Sequence, residues 1–240
     1  MVTRIAHAFG NSRESLARAL AAPIDMIEAD VRYHAGRAWI RHERRLGPLP
    51  VLADRRHGRE PLGPFALRVG RGYYLRLDVR RLALSELLAF VAGRKRLLLD
   101  VKACKDGDAA AFSQALVRHV REANAPGWIA VCGQFWPVLT RVRRIAPEIE
   151  VRYSIERPDQ WRRYTALAPS DDGARRVCIE HRFLDDQKLS FLKRLGTGTY
   201  CWTVDDARDA ARLVAGGVDG IISNDLVLLA RLPAAAGSLR

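Results

Sequence analysis

The chain has 240 residues, 48% of them hydrophobic, and a formal net charge of +13, with arginine supplying all but five of its 40 cationic residues. That length and apolar content suit one large α/β domain with an extensive core, and no apolar run is long enough to span a bilayer. Such a charge can draw nucleic acid, anionic lipid or phosphorylated substrates. The arginines are dispersed, however, in pairs such as Arg44-Arg45, Arg80-Arg81 and Arg175-Arg176. No basic tail or nucleic-acid-binding motif accompanies them, so nucleic acid is not the expected partner.

Eight short apolar runs recur along the chain, at residues 2–7, 26–31, 97–101, 128–132, 149–154, 176–179, 199–202 and 220–222. They are nearly continuous, as in parallel strands covered on both faces. Helical patterns lie between them, at 12–20, 85–91, 108–122, 137–145, 160–167, 185–195, 207–215 and 226–229. Asn11 or Ser12 is the candidate N-cap of the first helix, and Gly93 stops the second. Eightfold strand–helix alternation at this length predicts a (β/α)8 TIM barrel, with a doubly wound sheet as the structural rival. Residues 43–84, rich in Gly, Pro and Arg, break the rhythm. They read as a long insertion after the second strand, a candidate lid, within a single domain spanning 1–240.

Cys104, Cys132, Cys178 and Cys201 are scattered and form no C-x-x-C pair. They suit small buried hydrophobes in a reducing compartment. The N-terminus lacks the apolar stretch of a secretory signal, and the expected location is cytoplasmic.

The chemistry concentrates where strands are expected to end. Asp25-Met26-Ile27-Glu28-Ala29-Asp30-Val31 breaks an apolar run with two acids two residues apart, which point the same way on a strand. Such a pair can serve a hard cation, Mg²⁺ or Ca²⁺. His7 closes the first run, His42 follows the short strand Trp39-Ile40, and Leu97-Leu98-Leu99-Asp100-Val101-Lys102 closes the third. Gln134, Glu180, His181 and Trp202 stand at later strand ends. Barrel enzymes place their catalytic groups at this end of the strands.

These segments carry a resemblance. Ile5-Ala6-His7, the Asp25–Val31 segment quoted above, Gly36 with Ile40-Arg41-His42, and Leu97 through Lys102 resemble the glycerophosphodiester phosphodiesterases, a branch of the PLC-like phosphodiesterase barrels. So do Trp202-Thr203-Val204-Asp205-Asp206 and Gly217-Val218-Asp219-Gly220-Ile221-Ile222-Ser223-Asn224. The resemblance implies a barrel that hydrolyses glycerophosphodiesters to glycerol 3-phosphate and an alcohol with one divalent cation. It implies Glu28, Asp30 and Asp100 as metal ligands, His7 and His42 as the acid/base pair, Lys102 on the phosphate and Trp202 in the substrate wall.

The chain also departs from the family pattern. It reads His7-Ala8-Phe9-Gly10 where the family has H-R-G, and Asp100 stands where the family has glutamate. Both features resemble the sphingomyelinase D-type phospholipases of the same barrel superfamily. A phospholipase D-like activity on lysophospholipid or sphingolipid head groups is therefore a second expectation, with an anionic membrane surface as a candidate contact. A third is a catalytically degenerate basic barrel that binds polyanions.

Overall fold

The computed structural model describes residues 2–41, 52–55, 66–69, 73–76, 82–104 and 106–233. The chain opens with β1 (Thr3–Ala6), α1 (Arg13–Ala21), β2 (Met26–His34) and β3 (Arg37–Ile40). The short strands β4 (Leu52–Arg55), β5 (Ala66–Val69), β6 (Tyr73–Arg76) and β7 (Leu82–Ala83) follow. Strand and helix then alternate: α2 (Leu84–Val91), β8 (Arg96–Val101), α3 (Ala109–Glu122), β9 (Ile129–Gly133), α4 (Trp136–Ile145), β10 (Glu150–Ile155), α5 (Pro158–Leu167), β11 (Arg176–Glu180), α6 (Asp186–Arg194), β12 (Gly198–Trp202), α7 (Ala207–Ala215), β13 (Gly220–Ser223) and α8 (Leu226–Arg231).

Eight parallel strands pair in the order β1-β13-β12-β11-β10-β9-β8-β2, and β1 pairs with β2 to close the cylinder. The (β/α)8 expectation is met, and every expected barrel strand forms within a residue or two of its expected position, except that β2 extends three residues beyond the expected end. Residues 32–34 run on past the barrel pairing, and residues 31–34 pair antiparallel with β3, which pairs in turn with β7. The segment read as a long loop after the second strand contains backbone pairing, because β4, β6 and β5 form a three-stranded antiparallel sheet.

Helix starts follow local capping chemistry. Ser12 caps α1 by accepting from Ser15 N, Asp185 caps α6, Asp206 caps α7 and Asp225 caps α8. Each side-chain oxygen satisfies an amide that the helix itself leaves open. Most of the buried apolar residues lie between strands and helices. A smaller cluster plugs the barrel interior with Ile5, Met26, Leu98, Ala130, Cys132, Cys178, Tyr200 and Ile222.

The N-terminal end of the cylinder is held by ion pairs. Arg4 grips Asp25 with two side-chain hydrogen bonds of 2.9 and 2.8 Å, and its backbone N–H adds a third at 2.9 Å. Arg152 pairs with Glu150 at 2.6 Å and lies 3.3 Å from the centroid of the Tyr200 ring. These contacts leave the opposite, C-terminal rim for the polar residues singled out above.

Candidate active site

Glu28 and Asp30 project from β2 into the barrel mouth, and strand register sets Asp30 directly across from Asp100 of β8. One carboxylate oxygen from each of the three lies within 4.8 Å of the others. The i, i+2 spacing aims the two β2 acids at one point, as expected. Neither stands at the strand's end, because β2 continues into its hairpin with β3. Both acids nonetheless lie near the C-terminal end of the β2–β8 pairing, which runs to Val31 opposite Val101.

The turn after β1 holds this cluster. A 3-10 turn at Phe9–Asn11 packs on β2. Ala8 N donates to Glu28 Oε2 at 2.5 Å. Asn11 clamps Asp30 from two sides, with Nδ2 donating to Oδ2 at 2.5 Å and Oδ1 accepting from Asp30 N at 2.9 Å. Gly10 permits the approach, since a Cβ there would stand 2.5 Å from Ala29 Cβ. Ala8 adopts φ 60°, a left-handed conformation disfavoured for a residue with a Cβ. The backbone at this position thus performs a task for the acids, while its side chain is only a methyl group.

Lys102 enters from the end of β8, its backbone N–H donating to Val31 O at 3.0 Å. Its Nζ stands 2.5 Å from Asp30 Oδ1 and also pairs with Asp100. Burial opposes the Lys102 charge, but Asp100, Asp30 and Glu28 outweigh it and hold the ammonium above its usual range. Glu28 is pushed well above the ordinary carboxylate value, first by burial and then by the charges of Asp30 and Asp100.

A divalent cation fits this arrangement. Three acids face one ammonium, and the buried Glu28 Oε1 receives no hydrogen bond from a described residue. Carboxylates spaced for a common point, with one orphaned oxygen, match the demands of a hard ion. Glu28, Asp30 and Asp100 are the residues that would hold it.

His7 follows β1, with Nδ1 2.8 Å from Asn224 Oδ1 and Nε2 4.0 Å from Glu28 Oε2. Asn224 is itself fixed by Asp205. Its Nδ2 donates to Asp205 Oδ2 at 2.7 Å, and its N–H donates to Oδ1 at 2.8 Å. Because Nδ2 is committed to the carboxylate, Oδ1 must face the imidazole, and His7 Nδ1 is the donor there. The basic lone pair then belongs to Nε2, on the side of the acids. The adjacent acids of Asp205-Asp206 therefore divide their work, with Asp206 capping α7 and Asp205 orienting the amide behind His7.

His7, Glu28, Asp100, Lys102 and Trp202 line one cavity of about 560 Å³, together with Gln134, Phe135, Glu156 and Arg157. The buried indole Nε1 of Trp202 makes no hydrogen bond to a described residue. His181 is buried and lies outside the cavity lining, beside Glu180, Asp209 and the carbonyl of Trp202. His42 lies outside the described residues. Asn11, Asp205 and Asn224 received no role at the site from the sequence. Asn224 ends the quoted C-terminal motif, and that position was the available signal.

Comparison with known proteins agrees with this geometry. The family model described as the glycerophosphoryl diester phosphodiesterase family matches residues 6–228. A glycerophosphodiester phosphodiesterase of Arabidopsis thaliana is 25% identical over 232 residues, covering 91% of this chain and 67% of that protein. A structure from Silicibacter pomeroyi, described as a glycerophosphoryl diester phosphodiesterase, superposes with a TM-score of 0.74 at 22% identity, covering 95% of this chain and 92% of that one. An Oleispira antarctica phosphodiesterase, solved with the product sn-glycerol-3-phosphate, superposes with a TM-score of 0.68 at 19% identity, covering 93% of each chain. A matched model spanning nearly the whole chain, on a closed barrel with its acids gathered at the C-terminal rim, shows that this chain belongs to the glycerophosphoryl diester phosphodiesterase family.

Proposed function

We propose that this phosphodiesterase cleaves glycerophosphodiesters to glycerol 3-phosphate and an alcohol, with one divalent cation, Mg²⁺ or Ca²⁺, and a pair of histidines. The observation that carries the reading is the convergence of Glu28, Asp30 and Asp100 on one point, with Glu28 and Asp100 lining the cavity that His7 and Lys102 also line. The bound cation would neutralise charge on the phosphoryl oxygens. Lys102, held beside the acids, adds a second positive charge on the phosphate side. His7, donating from Nδ1 to Asn224, accepts the proton of the attacking hydroxyl at Nε2. His42 supplies the complementary proton to the leaving alcohol, an assignment that rests on the sequence resemblance. Trp202 walls the substrate and offers its indole N–H.

The product named for the Oleispira antarctica relative supports glycerol 3-phosphate as the product here. Ala8 in place of the family's arginine is the observation that keeps lysophospholipid head groups as a second reading. The dispersed positive charge then suits an anionic lipid surface.

The test is a panel of glycerophosphocholine, glycerophosphoethanolamine, lysophosphatidylcholine and sphingomyelin, each with Mg²⁺, Ca²⁺ or EDTA. Release of glycerol 3-phosphate from the first two, abolished by EDTA, is expected. Full activity in EDTA would overturn the metal assignment. Turnover of the lipids alone would favour the second reading, and turnover of none would leave the polyanion-binding barrel.

A further inference from the structure

A second cavity, of about 510 Å³, lies at the end of the barrel opposite the acids. Arg96, Glu150 and Arg176, the first residues of β8, β10 and β11, stand in its wall. Arg143 from the last turn of α4, with Glu148 and Asp171, completes the charged lining. Phosphodiester cleavage at the C-terminal rim uses none of these residues.

The three acids are already engaged. Glu148 accepts from Arg121 Nε at 2.9 Å, Glu150 accepts from Arg152 Nε at 2.6 Å, and Asp171 pairs with Arg143. Arg96 stands 3.5 Å from the other oxygen of Glu150. Arg176 is exposed and makes no ion pair with a described residue. The neighbouring Arg175 and Asp172, 2.8 Å apart, cancel one another. Five arginines thus face three acids, and the surplus of two positive charges matches a dianion.

Arg143 is only half satisfied. Its Nη2 holds Asp171, whereas Nη1 is buried and makes no hydrogen bond to a described residue. A Cβ on Gly173, itself in the cavity wall, would stand 3.5 Å from that Nη1. A buried guanidinium nitrogen without an acceptor carries a desolvation cost that an anion would relieve. The α4 helix ends at this face, and the partial negative charge of a helix C-terminus offers an anion nothing. Recognition therefore falls to the guanidinium groups, whose planar forks match phosphate oxygens.

We propose that this cavity is a second anion site, in which Arg96, Arg143 and Arg176 bind a phosphate monoester dianion. A free phosphate ester and an anionic lipid head group both present that chemistry. The site stands independently of which phosphodiester is turned over at the other end of the barrel.

The experiment is a calorimetric titration of the full, Mg²⁺-loaded chain with inorganic phosphate, joined by flotation with phosphatidylcholine vesicles that contain or lack phosphatidic acid. One equivalent of phosphate is expected to persist in Lys102→Met and to bind at least about tenfold more weakly in Arg176→Glu, the scale of one lost charge-assisted contact. Absence of saturable phosphate binding overturns the site, as does binding in Arg176→Glu equal to the parent's or binding lost in Lys102→Met. Flotation with phosphatidic acid that free phosphate displaces and Arg176→Glu abolishes assigns the group to a lipid, and phosphate binding without flotation assigns it to a free ester. Should Arg176→Glu fail to fold, phenylglyoxal labelling of the parent, read by mass spectrometry, decides the question. Phosphate must protect Arg143 and Arg176 while the exposed Arg208 of α7 stays reactive, and unchanged labelling of the first two overturns the site.

Discussion

His7 Nδ1 stands 2.8 Å from Asn224 Oδ1, across 217 positions of sequence, and Asp205 locks that amide so that only its oxygen can meet the ring. The tautomer of the proposed base is thereby chosen by a residue that touches no substrate. Replacing Asn224 with Leu removes the acceptor and frees the ring. We expect kcat to fall about 10- to 100-fold, within the range that general-base catalysis contributes, with KM little changed. Asp205→Asn should produce a smaller loss of the same kind, because the amide behind His7 can then flip. A KM effect without a kcat effect in Asn224→Leu would argue that Asn224 binds substrate directly.

Glu28→Gln and Asp30→Asn each remove a charged oxygen from the cation site. Calorimetry should show divalent binding lost, and turnover should fall by at least about 100-fold, the scale of losing one preorganised electrostatic contact at the transition state. Circular dichroism should still report a folded barrel. In the unaltered protein, a cation at about 100 times its dissociation constant adds roughly 2.7 kcal/mol of stability. EDTA should therefore lower the melting temperature of the parent and leave the two variants unmoved.

Lys102 occupies the same acidic cluster that the cation needs. Lys102→Met takes one positive charge away from three acids. Divalent binding should tighten while turnover on glycerophosphodiesters falls, since the phosphate loses an ammonium. Weaker metal binding in this variant would show that Lys102 organises the carboxylates rather than competing at them.

At the opposite end of the barrel, burial pushes the Asp25 carboxyl up, but hydrogen bonds from the Arg4 side chain and backbone outweigh it and leave the group below its ordinary value. A lowered native pKa contributes stability in full above the unfolded carboxylate value of about 3.9. That contribution fades as pH falls through the lower native value. Acid titration followed by thermal melting should show the parent losing its advantage over Asp25→Asn below about pH 4. At neutral pH the variant should cost about 3 kcal/mol, because Arg4 is left largely buried without its partner.

Gly10 allows the turn after β1 to lie on β2, where an added Cβ would meet Ala29 Cβ at 2.5 Å. Gly10→Ala must therefore displace the turn and, with it, Ala8 N and Asn11. Weaker divalent binding with an intact barrel is the expected result. Metal binding equal to the parent's would show that the acids hold their places without the turn.

The barrel was legible because its signal is local. Buried parallel strands need short apolar runs, and the amphipathic segments between them need caps, so the eight strands emerged within a residue or two of their expected places, β2 alone running three residues further. Glu28 and Asp30 were legible for the same reason, since period-2 geometry fixes their common direction within three residues. The extension of β2 was not legible, because its residues 31–34 find their partner in β3 and form a hairpin that the apolar run does not announce.

Sequence alone thus determined the cylinder, the paired acids of β2 and the family motif in which they sit. Tertiary structure decided the contacts between residues with no periodic relationship: Asp100 opposite Asp30, Asn11 clamping Asp30, and Asn224 and Asp205 behind His7. Such contacts depend on closing a sheet whose first and last strands lie more than 200 residues apart. Only a closed parallel sheet brings side chains from every strand to one rim, where hydrogen-bond direction and charge then settle their roles.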